Sequence, residues 1–241
     1  MISAKGINFS YGKESILKDI SVTLIEGQIT AVIGPSGAGK STLLKALTLL
    51  ELPQSGKLEI DGESYKFPIK DVDSIKYPYP KVNITFQQQF LWPNMTLKEN
   101  ILLPAKNIKR EKGDFTYTEL LELFGMRSFI DRYPNEASLG QRQRVALARA
   151  LITNPKYLFL DEITTFLDVK QVAIILDLVG KLKERGISLF IVTHHLHFAR
   201  ELADQVLFVD NGRIIEQGTA EILSKPQTKE LSEFLFYMNR L

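Results

Sequence analysis

The chain has 241 residues, 44% hydrophobic and 24% charged, with a formal net charge of +2; this ordinary globular balance leaves ample chain for a buried core. The charge is too small to point to nucleic acid, and no strong basic stripe is visible. With no cysteine, disulfides and thiolate metal sites are excluded and a reducing compartment fits best. The opening "MISAKGINFSYG" has no apolar centre like that of a secretion signal. No apolar run approaches the roughly 18–20 residues needed to cross a bilayer, so any membrane role would come through a partner chain.

Taken in order, the chain opens with short strands, "INFSY" and "ISVTLIEG", followed by the apolar "QITAVIG", which runs into a glycine-rich turn. "KSTLLKALTLL" is the first helix; "KLEIDG" and "KVNITFQ" are strands. From about Gln88 the pattern changes to the helix-forming "TLKENILL", "TYTELLELFG" and "GQRQRVALARALIT". After Asn154–Pro155 comes "KYLFLDE", nearly continuously apolar, as a buried parallel strand should be. A helix from about Val169 to Arg185, the strand "ISLFIVTH", the helix "HFARELAD" and the strands of "QVLFVDNGRIIEQG" complete the core. The alternation predicts an α/β sheet with a helical block inserted between roughly Gln88 and Asn154. The basic "KNIKREK" reads as a solvated run, and "TKELSEFLFYMNRL" as an amphipathic helix that packs on the core.

Three stretches carry chemistry. "GPSGAGKST", Gly34 to Thr42, contains G-x-x-x-x-G-K-[ST] between a predicted strand and a helix. Gly34, Gly37 and Gly39 let the backbone curl past Pro35 so that the N–H groups from Ser36 through Ala38 to Ser41 and Thr42 can face phosphate oxygens. Lys40 supplies a charge for the β and γ phosphates, and Ser41 a hydroxyl for Mg²⁺. In "YLFLDEITTFLD", Asp161 ends a buried strand where an acid can hold Mg²⁺ through water, and Glu162 can polarise an attacking water. A plain polar strand terminus is the other reading of that pair. In "YPNEASLGQRQRVALARAL", Ser138 precedes a helix that opens with Arg142 and Arg144. The arrangement is an ordinary helix cap, an anion site, or both.

Together "GPSGAGKST", "FQQ", "ASLGQRQRVALARAL", "YLFLDE", "FLD" and "VTHH" follow the order found in ATP-binding cassette ATPases, and the resemblance covers essentially the whole chain. "FLWPNMTLKENI" and "FARELADQVLFVDNGRIIEQG" make it most similar to the ATP-binding subunits of bacterial importers for polar amino acids. The resemblance implies one cassette over 1–241. Its fold is a P-loop NTPase core with a mixed, largely parallel sheet and an N-terminal antiparallel β subdomain (1–87 and 155–241), with a helical subdomain at 88–154. It implies that Tyr11 stacks on adenine, that Gln87 (or its neighbour Gln88) contacts Mg²⁺ and the attacking water, and that His194 contacts the γ phosphate. Ser138, Leu139, Gly140 and Gln141 are the signature, which acts on ATP held by another copy, and Asp168 communicates across the dimer.

The implied function is Mg²⁺-dependent ATP hydrolysis, catalysed by Glu162 with Gln87 and His194. Dimer closure would drive solute movement, with amino-acid import expected. The implied partners are a second copy or a similar ATPase subunit, integral membrane subunits and an extracytoplasmic solute-binding protein; no nucleic acid is implied. The place is the cytoplasmic face of the inner or plasma membrane. The apolar "QQFLWPNMT" is the expected membrane-subunit contact, or else packing of the helical block. Three residues depart from the family pattern: Leu139 stands at a glycine, Ile163 at a proline and Phe166 at a small residue. A soluble, non-transport cassette ATPase and a weakly hydrolysing regulatory module are the alternatives. A zinc site in "HHLH" is disfavoured, because cysteine is absent and no fourth ligand lies nearby.

Overall fold

The computed structural model describes every residue except Asn107, Arg110, Lys112, Phe166, Asn239 and Leu241. The Phe166 departure therefore lies outside the described residues, as do parts of the basic run and of the C-terminal segment. Two compact units are present, Met1–Pro78 with Lys183–Leu241, and Tyr79–Leu182.

The first unit begins with β1 (Ile2–Tyr11), β2 (Glu14–Leu24), β3 (Ile29–Ile33), α1 (Lys40–Leu47), β4 (Ser55–Ile60) and β5 (Glu63–Phe67). An antiparallel sheet runs in the order β2-β1-β4-β5. Ile2 faces Leu24 on one side and Ile60 on the other. Along β1 the buried positions are Ile2, Ala4, Ile7 and Phe9; bulges in the register account for the break in strict alternation. Strand β5 was not among the expected elements. Asp61 and Gly62 both have positive φ, 47° and 86°, the turn conformation that folds an Asp-Gly pair into a tight hairpin.

The second unit contains β6 (Val82–Thr85), α2 (Leu97–Leu102), α3 (Tyr117–Leu123), α4 (Leu139–Leu151), β7 (Tyr157–Asp161) and most of α5 (Val169–Glu184). Strand β6 runs parallel to β7. It ends at Thr85, so Gln87 lies two residues beyond the strand that was expected to carry it. Each of the three helices before β7 starts with a reciprocal capping box: Thr96 with Glu99, Thr116 with Glu119, and Ser138 with Gln141. Each box satisfies N–H groups that have no partner inside the helix, a contribution of about 1 kcal/mol per cap. Leu97, Ile101, Leu120, Val145, Leu147 and Leu151 are completely buried, so these short helices are held by packing rather than by propensity.

The first unit resumes with β8 (Ser188–Val192), α6 (Leu196–Leu202), β9 (Gln205–Asp210), β10 (Arg213–Gly218) and α7 (Lys229–Met238). Strand β3 pairs in parallel with both β8 and β9, with Ala31 opposite Ile191 and Val206. Strand β10 returns antiparallel to β9. The pairing is thus mixed and largely parallel, as expected. All five residues of β3 are buried, each large aliphatic one contributing about 1.5–3 kcal/mol. Leu196 and Ala199 of α6, Phe208 of β9, and Leu231 and Leu235 of α7 pack around Ala31 and Ile33. The C-terminal helix thus packs on the core, as its apolar spacing predicted. No helix among the described residues is long and apolar enough to cross a membrane.

Candidate active site

The glycine-rich turn joins β3 to α1 in the first unit. Gly34 has φ +147°, and a Cβ there would lie 1.9 Å from the Val209 carbonyl oxygen, so both conformation and space demand glycine. Gly39 caps α1 from the left-handed region, with φ 97° and no side chain to occupy the first-turn N–H groups. Those donors, at the positive end of the helix, fit an anionic phosphate. Lys40 is buried at 5% exposure. Its Nζ donates to the Gly34 and Pro35 carbonyls at 2.9 and 2.8 Å, so the loop encloses the ammonium that the motif supplies.

Tyr11, at the end of β1 in the same unit, is half exposed and meets Phe9 edge-to-face. Its hydroxyl donates to Glu51 Oε1 at 3.0 Å. Burial, with the Glu51 hydrogen bond and charge, pushes the phenol above its ordinary pKa, and a bond with Thr42 works the other way. The expected adenine-stacking ring and the phosphate loop are therefore neighbours within one unit.

The three histidines have separate surroundings. His194 follows β8 and is partly buried. His195 caps α6 through its backbone, its N–H donating to Thr193 Oγ1. His197 is exposed and pairs with Glu201 at 3.3 Å.

In the second unit Asp161 is the last residue of β7 and is buried at 8% exposure. Glu162 follows with φ +48°, an uncommon conformation for a side-chain-bearing residue. Its carbonyl accepts from the Thr165 N–H at 3.1 Å. Ile163, the next residue, is buried at 3% exposure. Asp168 caps α5, its Oδ1 accepting from the Gln171 N–H at 2.8 Å.

Of the glutamine triplet, Gln87 is partly buried and Gln88 exposed. Gln89 is committed elsewhere: its amide donates to the Gln87 carbonyl at 3.0 Å and to Gln143 Oε1 at 2.9 Å.

At the signature, Ser138 Oγ accepts from the Gln141 N–H at 3.3 Å while Gln141 Oε1 accepts from the Ser138 N–H at 2.9 Å. The serine is therefore a helix cap. Leu139 is the first residue of α4 and does not have positive φ, so its side chain imposes no backbone strain. Gly140 is buried, with the Gln171 side chain packed against its Cα. Arg142 and Arg144 point to backbone carbonyls. Arg142 donates to Pro134 at 3.3 Å; Arg144 donates to Phe124 at 2.9 Å and lies over the Phe129 ring. They brace the helical block.

Two residues that sequence reasoning left aside contribute to this region. Asn100, fully buried, accepts from the Trp92 N–H and donates to the carbonyls of Trp92, Met95 and Thr96. Arg149 donates to the Gln89 and Phe90 carbonyls. An amide or guanidinium inside an apolar helical run was the available signal, since such groups are buried only with partners.

A family model described as ABC transporter matches residues 17–165. The arginine transport ATP-binding protein ArtM of Bacillus subtilis (strain 168) is 39% identical over 239 residues, covering 98% of both chains. The L-cystine import ATP-binding protein TcyC of the same organism is 39% identical over 98% of this chain and 97% of its own. The glutamine transport ATP-binding protein GlnQ of Escherichia coli (strain K12) is 36% identical over 99% and 100%. Among solved structures, the dimeric post-hydrolysis state of the ATP-binding cassette MJ0796 bound to ADP and Pi matches with a TM-score of 0.79 and 30% identity. That match covers 91% of this chain and 99% of the other. On these matches the chain belongs to the ABC transporter family, as one of its ATP-binding, ATP-hydrolysing subunits.

Proposed function

We propose that the chain is the motor subunit of an importer for polar amino acids, working at the cytoplasmic face of the membrane as a dimer of identical or similar subunits. The observation that carries this reading is the phosphate loop, with its buried Lys40 and neighbouring Tyr11. Amino-acid import is supported by the full-length similarity to subunits named for arginine, cystine and glutamine. Tyr11 stacks on adenine, while Lys40 and the N–H groups of residues 36–42 hold the phosphates in the loop that Gly34 and Pro35 begin. Ser41, Gln87 and, through water, Asp161 would hold Mg²⁺, which when bound neutralises phosphate charge. Glu162 orients and deprotonates the attacking water, with Gln87 and His194 at the γ phosphate. Ser138, Leu139, Gly140 and Gln141, in the helical subdomain 88–154, act on ATP held by the other copy, and Asp168 relays between copies. Phe90 and Trp92, both exposed, are the contact for membrane subunits, and an extracytoplasmic solute-binding protein delivers the cargo.

The ordinary helical backbone at Leu139 favours a working signature over a weakly hydrolysing module. The test is sedimentation of Glu162→Gln with ATP, with and without Mg²⁺. A dimer that forms only with ATP is the expected result. If ATP binds and no dimer forms, and Leu139→Gly does not restore one, the proposed role of the signature is wrong.

A further inference from the structure

We propose that Arg149 is a positioning residue that makes the aromatic loop 87–93 a rigid extension of the signature helix, so that movement at Ser138–Gln141 reaches Phe90 and Trp92. This rests on the proposed reading of the signature and of the loop. The geometry lies within one unit. Arg149 is in the last turn of α4, three turns and roughly 16 Å along the helix from Ser138. Its Nη1 donates to the Phe90 carbonyl and its Nη2 to the Gln89 carbonyl, both at 2.7 Å. Its Cζ lies 5.1 Å from the centre of the Trp92 ring. One planar fork thus grips two successive carbonyls and stacks on the exposed aromatic beyond them, which a lysine cannot reproduce.

The loop conformation depends on that grip. Phe90 has φ +45°, a left-handed backbone that a bulky residue keeps only when its surroundings impose it. Its ring packs edge-to-face on Phe86 at 5.7 Å. A second tie comes from the same helix: Gln143, at 1% exposure, accepts from the Gln89 amide, which also holds the Gln87 carbonyl. Helix α4 therefore holds the loop through Gln143 at its middle and Arg149 at its end. Gln87, which the proposed function puts at the nucleotide, is tied through Gln89 to the same helix. The exposed Phe90 and Trp92 then report the position of α4 as well as the state of Gln87.

Trp92 is the only tryptophan in the chain, so its emission reads the latch directly. The experiment compares Glu162→Gln with the double variants that add Arg149→Met or Arg149→Lys. It measures sedimentation, Trp92 emission and acrylamide quenching, without nucleotide and with Mg-ATP. In Glu162→Gln, Mg-ATP should produce a dimer and shift both emission and quenching. With Arg149→Met the dimer should persist, the ATP-induced shift should be lost, and Trp92 should be more quenchable before ATP is added. Arg149→Lys should behave like the methionine variant, and it serves alone if the latter fails to fold. A full Trp92 response without the guanidinium overturns the proposal, as does a parent dimer with no response. If the parent forms no dimer, the signature reading fails, and equal nucleotide-free quenching with and without the guanidinium then overturns the latch itself.

Discussion

Gly34→Ala isolates the steric requirement of the phosphate loop. The added Cβ would lie 1.9 Å from the Val209 carbonyl oxygen, where real Cβ atoms essentially never come within 3.0 Å. Either the loop or strand β9 must retreat by about 1.1 Å. Overpacking of this kind costs about 1–3 kcal/mol, which lowers the midpoint of thermal unfolding by about 2–12 °C in a chain of this size. The effect on nucleotide is of the same order, because a displacement of about 1 Å in a preorganised catalytic site is worth roughly 100-fold. Titration with a fluorescent ATP analogue should therefore show ATP affinity reduced by about 100-fold, or about 2.7 kcal/mol. Gly37→Ala supplies the control. Gly37 also has positive φ, +78°, but its Cβ would meet nothing within 4 Å. It carries backbone strain of about 1–2 kcal/mol without the collision, and should lose less than about tenfold in affinity. Equal losses in the two variants, or Gly34→Ala binding within about threefold of the parent, would refute the steric argument.

Glu216 carries a pH signature. Burial pushes its carboxyl up, but bonds from the Thr228 hydroxyl and the Gln227 and Thr228 N–H groups outweigh that and hold its pKa below the ordinary value. Its contribution is present above the unfolded carboxylate pKa and lost as pH falls through the folded one. The gap in unfolding midpoint between the parent and Glu216→Gln should thus be widest at neutral pH and close in acid, and a gap independent of pH would contradict the assignment. Asn100→Ala removes four hydrogen bonds from a fully buried side chain. It should cost about 2–4 kcal/mol and lower the unfolding midpoint by roughly 4–16 °C; calorimetry that finds it unchanged would show that the loop ending at Trp92 is held by other contacts.

How much the sequence disclosed depended on the range of the interaction. The glycine-rich turn between β3 and α1 was legible because its residue types stand at fixed spacing and its context is a strand followed by a helix. The helix starts in the inserted block were legible for the same local reason. Strand β5 was missed although Asp61–Gly62 announces its hairpin, because its two buried aromatics, Tyr65 and Phe67, give too short an alternation. The end of β6 was placed too late because Phe86 and Gln87 continue the strand-like composition past Thr85. Nothing local could separate Gln89 from its neighbours: its partner, Gln143, is 54 positions away. The acceptor of Arg144, the Phe124 carbonyl, lies 20 residues back and is equally invisible to local pattern. Leu139 looked like damage to a glycine position, yet it occupies the first turn of a helix, where a side chain is tolerated.

The pairing of β3 also sets a schedule for synthesis. Both of its neighbours, β8 and β9, lie beyond residue 187, while the phosphate loop hangs from its end. As the chain leaves the ribosome, the capped helices of residues 96–151 find packing partners within their own stretch, α2 against α4, whereas β3 waits with its apolar edges unpaired. The carbonyl of Val209, against which Gly34 is fitted, arrives later still. The earliest-made of the candidate site motifs is thus among the last to acquire its shape, and a nascent chain that stops short of β9 carries the glycine-rich sequence without the partner strand against which it is fitted.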